Sequence, residues 1–175
     1  MKLLRKLEPF DRKSGDLNVV IDIPNGSRNK YALDFELMLT NSGQFCLTEW
    51  VFPFDFGSIP GTDAEDGNPL GVLVLIYEPT VVGGLIQARL LGVIEAEQTG
   101  PGKTERIDRL VAVASESHTH ASLKSLQKLD SKLIDEIEHF FVSYNDTRRK
   151  KFKPIRRRGS TAAKRLSEKQ TKKRK

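Results

Sequence analysis

Apolar residues along most of this chain fall in short runs broken by glycine and proline, a spacing that predicts strands rather than helices. Residues 18–23, Asn-Val-Val-Ile-Asp-Ile, are β-rich and stop at the turn cluster Pro24-Asn25-Gly26-Ser27. Lys30 to Glu36 alternates and is expected to return as a second strand. The aromatic-rich segment Phe45 to Phe54 is expected to form another, closed by Pro53 and a Gly57-Ser58-Ile59-Pro60-Gly61 loop. Val72 to Tyr77 is continuously apolar, as in a strand buried on both faces. Gly83-Gly84 opens a long strand from Leu85 to Glu95, Gly100-Pro101-Gly102-Lys103 marks a loop tip, and Arg109 to Ala114 returns as a strand. Short strands with this punctuation favour a closed β-barrel over a parallel sheet.

The period changes at residue 131. Leu133, Ile134, Ile137, Phe140, Phe141 and Tyr144 share one face at helical spacing, which predicts a helix from Ser131 to Asp146. Asp130 or Ser131 supplies its cap, and Asp135 and Glu136 suit the positive end of the dipole. There is no internal repeat.

The chain has 175 residues, 38% of them apolar, enough for one domain with its own core. A single cysteine, Cys46, excludes an intrachain disulfide and suggests a reducing compartment. The first residues hold no signal-peptide-like apolar run, and no run approaches the roughly 20 residues that span a bilayer. A soluble, cytoplasmic protein without membrane contact is the expectation.

Charge is divided unevenly. Residues 148–175 contain 15 Lys/Arg and one acidic residue, Glu168, for a net of +14, while the preceding 147 residues carry a net of −8. The expected organisation is a barrel domain over 1–147, carrying the helix 131–146, and a basic, partly helical extension over 148–175.

Four ordered blocks resemble the family I soluble inorganic pyrophosphatases. They are Val20-Ile21-Asp22-Ile23-Pro24 with Asn29-Lys30-Tyr31; Phe52-Pro53-x-x-Phe56-Gly57-x-Ile59-Pro60-x-Thr62; Ala64-Glu65-Asp66-Gly67-Asn68-Pro69-Leu70-x-Val72; and Leu110-Val111-Ala112-Val113 with Asp135 to Tyr144. The resemblance covers about residues 15–147 and implies a mainly β fold with flanking helices, a five-stranded OB-like closed barrel. It also implies pyrophosphate or phosphate as ligand, magnesium as cofactor, and a homo-oligomer.

Transferred residue by residue, the resemblance makes Lys30, Arg109 and Tyr144 phosphate-binding and Asp66 a metal ligand. Asp22 stands at a glutamate position, and a one-residue slip would add Asp108. Other positions depart from the pattern. The signature Asp-x-Asp-Pro-x-Asp reads Asp66-Gly67-Asn68-Pro69-Leu70-Gly71, so Asn68 occupies the place of the base and no catalytic residue is assigned. Two tyrosine positions are Phe52 and Phe56, a glutamate is Ala32, an arginine is Gln44, two aspartates fall on Gln98 and Ile107, and a lysine is Asn145.

Pyrophosphate hydrolysis in such a site needs adjacent hard cations that bridge the phosphates and lower the pKa of an attacking water. Magnesium is held by carboxylates and substrate oxygens, so the number of anionic ligands sets its occupancy. Asn68 offers a neutral oxygen but accepts no proton, and loss of a general base alone costs about 10²–10⁴-fold. The expectation is a non-hydrolytic homologue that keeps the scaffold and an anion pocket. The alternative is an active or weakly active magnesium-dependent diphosphatase using Asp22, Asp66 and Asp108.

Simpler roles stand beside these. Lys30 and Arg109 are equally readable as strand-surface charges, and Asp66 as a turn residue. His118, His120 and His139 lack zinc-site spacing, and Cys46 reads as a small core residue. In the extension, Arg148, Arg149, Lys150, Lys151, Arg156, Arg157 and Arg158 suit a polyanion such as nucleic acid, gripped by its phosphates because aromatics to stack bases are lacking beyond Phe152. Otherwise these cations cover the acidic body.

Overall fold

The computed structural model describes residues 7–34, 39–45, 51–118, 120 and 122–171, with side chains described for those outside 30, 32–34 and 39–45. Nine strands, two α-helices and a short 3-10 helix (Leu126–Lys128) are present among them: β1 (Leu17–Ile23), β2 (Asn29–Asp34), β3 (Leu39–Phe45), β4 (Asp55–Ser58), β5 (Gly71–Leu75), β6 (Leu85–Gly100), β7 (Lys103–Arg106), β8 (Arg109–Ala114), α1 (Ser131–Asp146), β9 (Lys151–Gly159) and α2 (Ser160–Lys169). The main sheet runs β1-β4-β5-β8-β6-β7, and the start of β6 pairs back onto β1, while β9 pairs with the rest of β6. β2 and β3 form a separate two-stranded sheet.

The continuous apolar run of β5 has a direct cause. Val72 and Val74 join a cluster with Val19, Ile21, Leu110 and Ala112, whereas Leu73 and Leu75 join a second with Val111, Val113, Ile137 and Phe141. Both faces of these strands are therefore covered, so hydrophobic residues do not alternate with polar ones. Helix α1 lays Ile134, Ile137, Phe140, Phe141 and Tyr144 onto the second cluster. The Asp130 side chain accepts a hydrogen bond from Lys132 N, satisfying one of the donors that a helix start leaves open.

Two sequence expectations require correction. The strand placed at Phe45 to Phe54 is absent from the described residues 51–54, and the segment read as a loop supplies β4 instead. Four residues suffice there because β1 pairs on one side and β5 on the other. The buried Asp55 carboxylate also accepts from Asn25 N, Thr80 N and Thr80 Oγ1. Secondly, β6 extends five residues past Glu95. β5 and β8 pair in parallel within an otherwise antiparallel sheet. Residues 35 and 36, assigned to the second strand, and Cys46 lie outside the described residues.

The charge boundary at residues 147 and 148 falls in the turn between α1 and β9. Beyond it the basic segment is docked on β6, with Gly92 opposite Gly159 and Thr99 opposite Lys151. Gly92 makes that approach achievable, because a Cβ there would lie 2.3 Å from Arg158 O and 2.8 Å from Leu126 Cβ. Among the described residues, no helix is long and apolar enough to cross a membrane.

Candidate functional site

A cavity of about 380 Å³ opens where β1, β4, the loop before β5, the β6–β8 hairpin and the end of α1 meet. Strand β1 contributes Asp22 and β4 contributes Phe56 and Ser58; Asp66, Asn68 and Gly71 come from the loop and the start of β5. Gln98, Ile107 and Arg109 line it from the hairpin, and Phe141, Tyr144 and Asn145 from the helix. Positions spread over more than 120 residues thus converge on one space.

The two lining carboxylates are already engaged. Asp22 is buried and accepts from Ser58 Oγ. Asp66 Oδ1 accepts from Asn68 N at 3.1 Å, and Asn68 Nδ2 donates to Asp66 O at 3.3 Å, an Asx-type arrangement that shapes the turn. Asn68 therefore spends its amide on the local backbone.

Gly71 is filled from outside. A Cβ at this residue would lie 2.7 Å from Phe56 Cζ and 3.2 Å from Arg109 Nη1. The Phe56 ring is fixed in turn against Phe52 and Phe141, with centroids 6.2 and 6.0 Å away. Arg109 lies over the rings of Phe56 and Phe141 at 5.7 and 5.6 Å, in cation–π range. Although the side chain as a whole is half-buried, burial pushes its guanidinium down to about 10, against the opposing attraction of Asp66.

Asp108 does not reach the cavity, which corrects the one-residue slip that would have made it a ligand. Ile107 faces the cavity instead, while the Asp108 carboxylate accepts from Ala96 N and Arg106 Nε. Burial raises the Asp108 carboxyl above its usual range despite that arginine. Lys30 lies on β2 with its side chain outside the described residues, as do those of Ala32 and Gln44. Among the described residues no group of three metal-ligating side chains is gathered, and His139 Nδ1 lies 3.0 Å from Asp135 O. The two carboxylates of the described lining, Asp22 and Asp66, are fewer anionic ligands than a pair of adjacent magnesium ions calls for.

The basic segment divides in two. Arg148 and Lys150 line the cavity, a placement that sequence reasoning missed by assigning them to a tail surface. One signal was available: Arg148 lies four residues after Tyr144, the spacing of neighbours on a helix. Its Nη1 donates to the Tyr144 hydroxyl at 3.3 Å and its guanidinium lies 5.6 Å from the ring centroid.

Arg156, Arg157 and Arg158, expected to face a polyanion, are paired with the protein's own carboxylates. Glu95 meets Arg156, Arg106 at 3.1 Å and Arg158 at 3.5 Å. Arg157 joins Glu138 at 2.7 Å and Asp135. Burial works against the Glu95 charge, but the hydrogen bond from Arg156 and the surrounding arginines hold its carboxyl below the usual range.

Comparison with known proteins gives a consistent assignment. The inorganic pyrophosphatase family profile matches residues 19–175, including the basic segment. The inorganic pyrophosphatase of Nostoc sp. is 35% identical over 142 residues, covering 81% of this chain and 82% of that protein. That of Aeropyrum pernix is 38% identical over 144 residues, covering 81% and 79%. Among solved structures, the inorganic pyrophosphatase of Coxiella burnetii superposes with a TM-score of 0.85 at 31% identity, covering 94% of this chain and 98% of that one. That of Helicobacter pylori gives 0.85 at 29% identity, covering 95% and 96%.

Proposed function

Because this chain belongs to the inorganic pyrophosphatase family, we propose that its cavity keeps that family's phosphate site as an anion pocket without the carboxylates that gather magnesium. The chain then binds phosphate-bearing ligands through Lys30, Arg109 and Tyr144 and does not hydrolyse them at an enzymatic rate. The strand circuit β1-β4-β5-β8-β6, returning to β1, supports the reading of a five-stranded OB-like closed barrel with the pocket at its mouth.

One observation carries the proposal: the space for a side chain at residue 71 is taken by the Phe56 ring and the Arg109 guanidinium. A missing carboxylate alone leaves room for water or an ion, whereas a ring and a cation in its place oppose one. Asn68 supplies no proton acceptor, which removes about 10²–10⁴-fold of rate. Loss of bridging cations removes the means of activating water. The exposed Arg149 and Lys151 remain for contact with a polyanion such as nucleic acid, which salt would weaken.

Hydrolysis is the alternative, and the comparisons favour it more directly, since the relatives named above are inorganic pyrophosphatases. Such an enzyme would be magnesium-dependent and would have Asp22 and Asp66 as its lining carboxylates. The two are separated by phosphate release from pyrophosphate with magnesium. Turnover in the ordinary range of about 1–10³ s⁻¹ overturns the non-hydrolytic proposal. Absence of release from a folded protein that still binds pyrophosphate overturns the alternative.

A further inference from the structure

Arg109 is a cation with no ion-pair partner among the described residues, although Asp66 attracts it from further away. Its Nε is enclosed and has no hydrogen-bond partner among the described residues, and its Nη1 reaches Asp108 O at only 3.5 Å. It forms no ion pair among those residues, its close neighbours being the Phe56 and Phe141 rings. Buried charge is costly unless paired and hydrogen-bonded. A guanidinium offers five donors in a planar fork suited to phosphate oxygens.

Two more cations face the same space. Arg148 is held over Tyr144, and Lys150, from the turn before β9, forms no ion pair among the described residues. Against these three, the described lining contains two carboxylates, Asp22 and Asp66, each already accepting a hydrogen bond. The described lining is therefore net positive, the wrong sign for gathering divalent cations and the right one for holding an anion directly.

We propose that this cavity binds a diphosphate group without any divalent metal, with Arg109, Arg148 and Lys150 neutralising the oxygens that metal ions would otherwise bridge. This rests on the anion-pocket reading above and adds that no divalent ion takes part. Free pyrophosphate and the diphosphate of a nucleotide share the chemistry recognised, and orthophosphate offers half of it.

The test is titration calorimetry of the full chain with pyrophosphate at low salt in excess chelator, repeated with magnesium. Binding is expected in chelator, and magnesium is expected to weaken it by withdrawing the free anion. Arg148→Ala and Lys150→Ala should each weaken binding by about tenfold or more, as expected for loss of a charge-assisted hydrogen bond. Arg109→Met, which keeps the stem packed between the rings, should abolish binding without lowering thermal stability; a large loss of stability would instead assign Arg109 a packing role. The Arg148 and Lys150 variants, at the rim, keep the proposal testable if the Arg109 variant fails to fold. ADP competing as well as pyrophosphate identifies a nucleotide diphosphate source, and preference for pyrophosphate identifies the free ion.

Binding that appears only after magnesium is added overturns the inference, as does unchanged affinity in both rim variants. Phosphate release together with binding in chelator overturns only the non-hydrolytic function. Neither release nor binding in chelator overturns only the metal-free inference.

Discussion

Replacing Gly71 by alanine isolates the packing that sets this cavity apart, because it adds one methyl group and no charge. The new Cβ would stand 2.7 Å from Phe56 Cζ, so ring or backbone must retreat by about 1 Å to reach ordinary carbon–carbon separation. Phe56 is not free to do so, being packed against Phe52, Phe141 and the Arg109 guanidinium. Overpacking of this kind costs about 1–3 kcal/mol. For a chain of this length each kcal/mol lowers the melting temperature by about 2–4 °C, so a fall of roughly 2–12 °C is expected. Phe56→Leu shortens the side chain at the end that meets residue 71. In that background Gly71→Ala should cost markedly less, leaving a coupling of about 0.5–3 kcal/mol in the double-mutant cycle. Urea and thermal denaturation of the four proteins at one protein concentration measure this. If Gly71→Ala lies within about 0.5 kcal/mol of the parent, or costs the same in both backgrounds, the ring does not fill the position and the central argument against a metal cluster fails.

Three further outcomes are expected. Asn68→Asp with Gly71→Asp should not restore phosphate release at an enzymatic rate, because the new carboxylate at 71 meets Phe56 and pairs with Arg109; recovery in a magnesium-dependent assay would show that the rest of the site is intact. Glu95→Gln should destabilise the protein by about 1 kcal/mol at neutral pH, by exchanging the carboxylate that Arg106, Arg156 and Arg158 share for a neutral amide, the effect being reduced by solvent around these part-exposed arginines. Since the folded Glu95 carboxyl is held below its ordinary value, its contribution is present above the unfolded value and lost as pH falls through the folded one; urea titrations over the acid range should show that dependence weakened in the variant. With Lys30 and Lys150 both replaced by glutamine, residual anion binding should decline as pH rises through about 10, where Arg109 loses its proton, and calorimetry from pH 8 to 11 would find a flat profile if Arg109 does not touch the ligand.

Local pattern determined much of this protein. The period of apolar residues located α1 at Ser131–Asp146, because a buried stripe must recur with the period of its own element, and a short unbroken apolar run located β8 at Arg109–Ala114, which is covered on both faces. A cap at Asp130 or Ser131 was equally readable, as a short acceptor at the start of that stripe, and the folded helix uses Asp130. Charge counting marked residues 148–175 as strongly basic, and the signature segment around Asp66 marked the cavity's loop.

Tertiary contacts decided the rest. β4 exists because two strands flank it, a fact invisible in four residues bounded by Pro53 and Pro60. Whether Ile107 or Asp108 faces the cavity depends on register, since a shift of one residue reverses the side a strand residue faces. The basic segment looked uniform, yet its cations divide between the cavity and the carboxylates of the body according to what β9 meets along β6. A glycine at residue 71 recorded only that a carboxylate was missing. That an aromatic ring and a guanidinium had moved into its place depended on residues 15 and 38 positions away, and only the folded chain brings those together.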